Sequence, residues 1–316
     1  GATAVAEAVS MAYANYRGKR PKVILSPALH PQYRQTVRTY SASSPVILTG
    51  DEPESDPAAG PAALLPLIDM NTALVVVQYP DFFGRIQDFK QMVVKAHEAG
   101  ALVAFVVNPT ALGVLKTPGE LGADIVVGEG QPLGIPLSFG GPYLGFFATR
   151  KDYVRKLSGR LVGETNDASG KRGYVLTLTA REQHIRREKA TSNICSNQGL
   201  MAMAATIYMS LLGKHGMQQV ADLCYQKAHY AADLISKLPG FELITREPFF
   251  HEFAVKCPRK VAELNEALLD RGFLGGYDLD LCYPEFKDHM LIAVTEMVLK
   301  EDIDAFAAAL QEVVHD

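Results

Sequence analysis

The sequence of 316 residues has little cysteine, no long apolar run and little excess charge. Its apolar runs, such as Ala101–Val107, are too short to span a membrane, and no signal peptide is visible. The net charge of −4 argues against nucleic acid as the main partner. We therefore expect a cytoplasmic protein with no membrane contact and no nucleic-acid partner.

The four cysteines are far apart and have no metal-ligand spacing. This pattern is typical of buried free thiols in a reducing compartment, and we expect no metal site. The cysteines are Cys195, Cys224, Cys257 and Cys282.

Nucleotide-binding motifs are also lacking. No G-x-x-x-x-G-K-[ST] loop is present, which excludes a P-loop. The segment Gly128–Gly134 has the spacing G-x-G-x-x-x-G, but Ile135 and Pro136 continue the loop where a dinucleotide site needs a helix N-terminus. The sequence therefore disfavours a Rossmann nucleotide site.

The most informative stretch is Gly122–Arg150, which has two apolar strands around a glycine-rich loop. The strands are Ile125–Val127 and Leu144–Ala148, and the glycines between them permit tight turns and close approach of a ligand. This arrangement indicates an active-site rim. Yet the segment from Thr117 to Arg150 contains no lysine, histidine or cysteine, and Gln131 lies where a reactive side chain is expected.

The first half of the chain alternates strand-like and helical segments. Because the strands are rich in Val and Ile on both faces, helices are expected to cover both sides of the sheet. Alternating βα units predict a mainly parallel α/β sheet, with Leu144–Ala148 antiparallel after a tight turn. The other predicted strands are Lys22–Ser26, Val46–Thr49, Ala73–Tyr79 and Ala101–Val107, and the predicted helices are Pro31–Tyr40, Pro61–Met70 and Ile86–Ala99.

The C-terminal part reads as a smaller α+β domain that follows two helical stretches, Gly199–Leu212 and Met217–Leu238. We place the boundary in the second stretch, which gives a large domain over 1–225 and a small domain over 226–316. The predicted strands of the small domain are Phe241–Ile244, Glu252–Lys256 and Met290–Val294, and its helices are Val261–Arg271 and Asp302–Val314.

Two polar segments join these parts. Gly159–Gly173 is glycine-rich and predicts a long surface loop, either functional or disordered. Arg181–Lys189 is helix-like and basic, which is typical of a solvated, salt-bridged face; the alternative is a surface that faces an anion or a partner. His184 within it, and the pair Asp288–His289, are predicted to be structural rather than catalytic.

Long stretches of the chain resemble a known family. They are GADIVVGEGQPLGIPLSFGGPYLGFFATR and GRLVGETNDASGKRGYVLTLTAREQHIRREKATSNICSNQ. The sequence resembles the P-protein of the glycine cleavage system, and in particular the first chain in organisms that split this enzyme in two. The resemblance runs from Gly1 to Asp316. In the family a further region precedes GATA, so we expect that an N-terminal segment is missing here.

The resemblance implies a fold and an activity. The fold is that of aspartate-aminotransferase-like enzymes (fold type I), with a seven-stranded α/β/α large domain and a small α+β C-terminal domain. The family enzyme uses pyridoxal phosphate to decarboxylate glycine and passes the aminomethyl group to the lipoyl arm of the H-protein. The implied partners are therefore a companion subunit, in a heterotetramer with two copies of each chain, and the H-protein.

The same resemblance implies that this chain has lost two cofactor-binding residues. Gln131 aligns with the lysine that forms the Schiff base in the companion chain, and a glutamine amide cannot form an imine. Asn108 aligns with the aspartate that pairs with the pyridinium nitrogen of the cofactor. A neutral amide holds this protonated nitrogen less well than a carboxylate does. Asn108 also suits the turn before Pro109. We expect no catalytic residue in this chain, no covalently bound cofactor, and pyridoxal phosphate bound by the companion subunit.

Two other functions are open. One is a stand-alone pyridoxal-phosphate enzyme, such as an aminotransferase or desulfurase, which the lack of a lysine after Ile125–Val127 disfavours. The other is a scaffold that does not touch the active site. The preferred hypothesis is an obligate subunit that shapes the site of its companion.

Overall fold

The computed structural model describes residues 1–194 and 198–314, so that Cys195 lies outside the described residues. The helices are α1 (Ala2–Asn15), α2 (Pro31–Ser41), α3 (Lys90–Glu98), α4 (Gln183–Arg186), α5 (Gly199–Ile235), α6 (Val261–Asp270) and α7 (Lys300–Val313). The strands are β1 (Lys22–Leu25), β2 (Ile47–Thr49), β3 (Thr72–Tyr79), β4 (Leu102–Val107), β5 (Ile125–Glu129), β6 (Gly145–Thr149), β7 (Leu161–Asn166), β8 (Arg172–Thr177), β9 (Glu242–Leu243), β10 (Glu252–Lys256), β11 (Tyr277–Asp278) and β12 (His289–Ala293).

The large sheet has the strand order β2-β1-β3-β4-β5-β6. The first five strands in the chain are parallel, and β6 runs antiparallel to β5, as the sequence predicts. Val107 of β4 is paired with Gly128 of β5. Because parallel strands end at the same edge, the residues that follow β4 and β5 meet there.

Helices cover both faces of this sheet. In β4, Leu102, Ala104 and Val106 pack with the apolar face of α1, while Val103, Phe105 and Val107 pack with α3 on the other side. Every residue of β4 is buried. Burial on both faces explains why the sequences of these strands are continuous apolar runs. It confirms the prediction of a sheet with helices on both sides.

The sheet is narrower than the resemblance implies. The described residues contribute six strands to it, not seven. At one edge β2 pairs with β1 alone, and at the other β6 pairs with β5 alone. No other described segment continues the sheet.

Two predicted helices differ from the structure. The helix predicted over Ile86–Ala99 begins only at Lys90, because the backbone N–H of Ile86 donates to Pro248 and ties this segment to the C-terminal part. The segment Pro61–Leu67 forms a 3-10 helix, and the proline within it, Pro66, prevents a regular α-helix.

The segment Gly159–Gly173 is not a long loop, which corrects the prediction. Strands β7 and β8 form an antiparallel hairpin through most of it. Its turn is closed by Asp167, whose Oδ1 accepts from the N–H groups of Ser169 and Lys171, while Gly170 takes a φ of +81°. An Asx turn followed by a left-handed glycine is a recognised turn signal. Polar residues on both strands conceal the alternation that normally predicts a hairpin.

The basic stretch Arg181–Lys189 is also not one helix. Helix α4 has a single turn, and Arg187, which follows its last residue, has a φ of +52°. A left-handed residue of this type stops an α-helix.

The C-terminal part is α+β, as predicted. Its antiparallel sheet has the order β11-β12-β10-β9, and the second half of α5 packs against it together with α6 and α7. Helix α5 is interrupted at Gly213, which has φ +60° and ψ −169°. The interruption separates the two helical stretches that the sequence predicts.

Candidate functional site

A cleft of about 630 Å3 opens at the carboxyl edge of the large sheet. Asn108, one residue beyond β4, and Gln131, two residues beyond β5, both line it. The two positions selected from the sequence therefore lie in one cleft. Ligand sites of open α/β sheets are commonly found at this edge.

Asn108 makes a local turn and reaches across the cleft. Its Oδ1 accepts from the backbone N–H of Thr110 at 3.0 Å, which shapes the turn through Pro109. Its Nδ2 lies 3.5 Å from Nε2 of His251. The structural role proposed for Asn108 is therefore present in the molecule.

Gln131 is held by its own loop. Its Nε2 donates to the carbonyl of Ile135 at 2.6 Å, and its backbone N–H donates to Oε1 of Glu129 at 3.0 Å. The same Glu129 oxygen accepts from the N–H of Leu144 at 2.8 Å and so joins the two ends of the loop between β5 and β6. These contacts fix the amide of Gln131 in place.

Gly134 lets this loop pack closely on α5. Its φ is +80°, and a Cβ there would lie 2.5 Å from Cδ2 of Tyr208. A larger residue would push the loop away from the helix, so this position requires glycine both for conformation and for space.

The opposite wall comes from the C-terminal part and includes a buried histidine that the sequence did not single out. His251 is 8% exposed, and its Nδ1 has no hydrogen-bond partner among the described residues. Burial lowers its pKa to about 4, so that the ring is neutral at pH 7. The apolar run that precedes it, Phe249–Phe250, is the only sequence signal for its burial.

Cys224 of α5 connects the cleft to the segment after β12. Its Sγ donates to Oε2 of Glu296 at 3.2 Å and accepts from the N–H of Glu296 at 3.3 Å. Burial, together with this hydrogen bond, raises the pKa of the Cys224 thiol to about 12. The thiol is therefore not a nucleophile at neutral pH. The predicted burial is confirmed for Cys224 and Cys257, and Cys282 is half-buried.

The charge of the cleft is negative. Glu296 is the only charged side chain among the described residues that line it, and these include no lysine and no arginine. Much of the remaining wall is apolar, from the loop Pro132–Leu137 and from Tyr208 and Phe250. The described lining therefore offers no lysine or arginine to a phosphate or carboxylate group.

The other residues weighed from the sequence lie outside this cleft. His184 is exposed, with Nδ1 3.8 Å from Oε2 of Glu182. His289 lies 2.6 Å from the carbonyl of Lys287 through Nδ1 and packs against Phe286. No group of three potential metal ligands occurs in residues 1–194 and 198–314, and no helix there is long and apolar enough to cross a membrane.

Comparisons with known proteins agree with this architecture. The family model described as "Glycine cleavage system P-protein" matches residues 1–310. The chain is 54% identical to a probable glycine dehydrogenase (decarboxylating) subunit 1 of Brevibacillus brevis, over 99% of this chain and 69% of that one. A protein of the same name from Thermomicrobium roseum is 51% identical over the same shares.

Solved structures give the same family and a wider fold class. A crystal structure of glycine decarboxylase (P-protein) of the glycine cleavage system, in inhibitor-bound form, has a TM-score of 0.92 and 43% identity, and it matches 99% of this chain and 70% of that one. A NifS-like protein has a TM-score of 0.70 at 14% identity over 99% of this chain and 80% of its own, which shows the shared fold alone. The chain belongs to the glycine cleavage system P-protein family.

Proposed function

We propose that this chain is subunit 1 of a glycine dehydrogenase (decarboxylating), and that it works in the glycine cleavage system. The observation that carries this proposal is its near-full-length similarity to chains of that name. The assembled enzyme decarboxylates glycine and transfers the aminomethyl group to the lipoyl group of the H-protein. Pyridoxal phosphate supplies the electron sink for the decarboxylation.

The cleft of this chain does not fit that cofactor. An imine needs a lysine, and the position after β5 is Gln131, whose amide already donates to Ile135. A phosphate needs cations or free N–H donors, while Glu296 is the only charged group of the described lining. Asn108 is neutral and already accepts from Thr110. We therefore infer that the companion subunit binds pyridoxal phosphate and that this chain holds none covalently.

Exposed apolar surface supports the requirement for a companion subunit. Four side chains on the first half of α5 follow a spacing of 3, 4 and 4 residues, which puts them on one face of the helix. They are Leu200, Met203, Ile207 and Leu211, and each is at least half exposed. In the proposed heterotetramer, with two copies of each chain, the companion covers this face. The cytoplasmic location stays a prediction.

Packing supports the proposed domains, 1–225 and 226–316. Ala221 and Cys224 of α5 pack with Ala111, which follows β4. From Ala228 onward the helix instead packs with the C-terminal core. The change of partner falls between these residues, near the proposed boundary.

A stand-alone aminotransferase or desulfurase is the alternative. The fold is shared with such enzymes. However, the identity to the NifS-like protein, 14%, is too low to indicate a shared activity. Gln131 argues against it, because these reactions also begin from a lysine imine.

Co-expression tests the proposed function. We expect glycine-dependent exchange of CO2 when the full-length chain and its companion are present together with the H-protein, and none with either chain alone. Exchange by this chain without the companion would favour the stand-alone alternative.

Chemical trapping tests the cofactor assignment. The complex is incubated with pyridoxal phosphate, reduced with borohydride and analysed by peptide mass spectrometry. We expect a single stoichiometric adduct on the companion subunit. Weak adducts on surface lysines such as Lys116 or Lys151 are mapped and set aside. A stoichiometric adduct on this chain would refute the assignment.

A further inference from the structure

A second cleft, of about 560 Å3, lies at the other edge of the large sheet. Its walls include Gly18, four residues before β1, and Val46, directly before β2. Because the strands are parallel, this is the amino edge, and the cleft that contains Asn108 and Gln131 lies at the carboxyl edge. The two clefts share no lining residue.

This amino-edge cleft is strongly basic. Its six cationic residues come from the end of α1, from the segment after β6 and from the basic stretch around α4. They are Arg17, Arg155, Lys156, Arg181, Arg186 and Lys189. Glu182 is the one carboxylate among the described lining residues. The chain as a whole has a net charge of −4, so this concentration of positive charge is local.

No ion pair within 4 Å involves any of these six cations in residues 1–194 and 198–314, although the carboxylate of Glu182 acts electrostatically on Arg181. Some exposed cations elsewhere are paired, for example Lys237 with Asp233 at 2.5 Å and Arg246 with Glu242 at 3.3 Å. Unpaired like charges around one cleft repel each other and attract an anion.

Arg181 gives the cleft a specific donor pair. Its Nη1 donates to the carbonyl of Leu157, whereas its Nε and Nη2 are buried and have no hydrogen-bond partner among the described residues. Oε1 of the adjacent Glu182 is likewise buried without a hydrogen-bond partner among them. The hydroxyl of Ser158, on the same wall, is also buried without a partner. The Nε–H and Nη2–H bonds of arginine are the parallel donors that bind carboxylate or phosphate in a bidentate manner. Burial lowers the pKa of Arg181, and the charge of Glu182 acts in the opposite direction without cancelling this effect. A bound anion would offset the remaining cost of burial.

We propose that the amino-edge cleft binds a small organic oxyanion, a phosphate ester or a polycarboxylate, with Arg181 as the bidentate anchor and Arg186 and Lys189 at the rim. Its volume is within the range of small-molecule sites. The proposal does not depend on the proposed function. Phosphate and polycarboxylate share the recognition chemistry, and the probes below distinguish them.

The test uses the full-length chain assembled with its companion. Titration calorimetry with inorganic pyrophosphate and, separately, with citrate measures binding at low and at physiological salt. Arg186→Gln combined with Lys189→Gln removes two exposed charges from the rim. The matched control, Lys237→Gln combined with Arg246→Gln, removes the same charge from distant exposed positions.

We expect saturable binding of at least one probe, weakened about tenfold by the rim variant and unchanged in the control. The probe that binds more tightly identifies the oxyanion class. Any binding of a probe to the companion subunit is the same in both variants, so it does not affect the difference between them. No saturable binding, or equal weakening in both variants, would overturn the proposal. So would binding of a hexaglutamate peptide without binding of either small anion, which would assign the surface to an acidic protein segment.

Discussion

Glu252, the first residue of β10, lines a cleft together with His30 and Tyr277. Burial, and next the charge of Asp81, raise the pKa of Glu252 to about 8. In the unfolded chain a glutamate titrates near 4.5, so the folded protein binds one more proton between these values. The stabilising contribution is therefore complete below about pH 4.5 and is lost as the pH rises through 8.

Substitution of Glu252 by Gln is expected to remove this dependence. Between pH 5 and 8 the free energy of unfolding of the wild type should fall relative to that of the variant, by up to about 1.4 kcal/mol per pH unit. Urea unfolding at several pH values measures the difference, and Glu247→Gln is the control. If the free energy of unfolding changes equally with pH in the wild type and in E252Q, the raised pKa is not that of Glu252.

Asp124 is a buried carboxylate that joins several elements. It is 3% exposed, and its Oδ2 accepts from the N–H of Val103 at 2.9 Å and lies 2.9 Å from Nε2 of His97. Its Oδ1 accepts from Nη1 of Arg150 at 3.2 Å. The carboxylate thus connects α3, β4 and the end of β6.

Asp124→Ala should lower the free energy of unfolding by about 2–4 kcal/mol, because the buried N–H of Val103 loses its partner. Chemical denaturation measures the loss. Asp152→Ala, at an exposed position, should change stability by less than about 0.5 kcal/mol. If Asp124→Ala lowers the free energy of unfolding no more than Asp152→Ala does, the hydrogen bonds of Asp124 do not contribute to stability.

At the scale of elements, the β7–β8 hairpin is the unit with the least support from its surroundings. Val162 is paired with Leu176, and Tyr174 lies on the same face, yet each of these side chains is more than half exposed. An isolated two-stranded hairpin is only marginally stable in water. We therefore expect a surface outside the described chain to stabilise the hairpin.

We expect the companion subunit to protect this hairpin. Trypsin should cut at Lys171 or Arg172, beside the turn, at least tenfold more slowly in the complex than in the chain alone. Gly170→Ala strains the turn by about 1 kcal/mol and should speed cleavage in the lone chain. Cleavage at Lys116, outside the hairpin, is the internal control. Equal rates with and without the companion would refute this contact.

The sequence predicts elements well where apolar residues are buried on both sides of a sheet. Strands β1, β3 and β4 are recovered because tertiary burial and local β-propensity agree there. The hairpin is missed because its strands lie in solvent and carry polar residues such as Glu164. The start of α3 is missed because it depends on Pro248, a contact with a distant part of the chain.

The cleft could be predicted only in part. Asn108 and Gln131 follow adjacent parallel strands, so topology alone brings them together. His251 and Glu296 are more than 100 residues away and reach the cleft through the packing of the C-terminal sheet and α5. No local pattern encodes that packing.

At the scale of the whole molecule, the apolar face of α5 should determine assembly. Met203→Glu combined with Ile207→Glu places two charges on this face and should weaken binding of the companion by at least about tenfold. Analytical ultracentrifugation measures the association. Leu269→Glu combined with Leu274→Glu, at exposed positions of the C-terminal part, is the matched control. A wild-type chain that stays monomeric at high concentration without its companion would count against an exposed interface.

The hydrogen bond from Gln131 to Ile135 gives the side chain at position 131 a part in holding its loop. A Gln131→Lys exchange would supply an amine, but it would remove the amide that makes this contact and would add no cation for a phosphate beyond the lysine itself. On our proposal, an independent catalyst would therefore require several changes in this cleft, and not this one exchange alone.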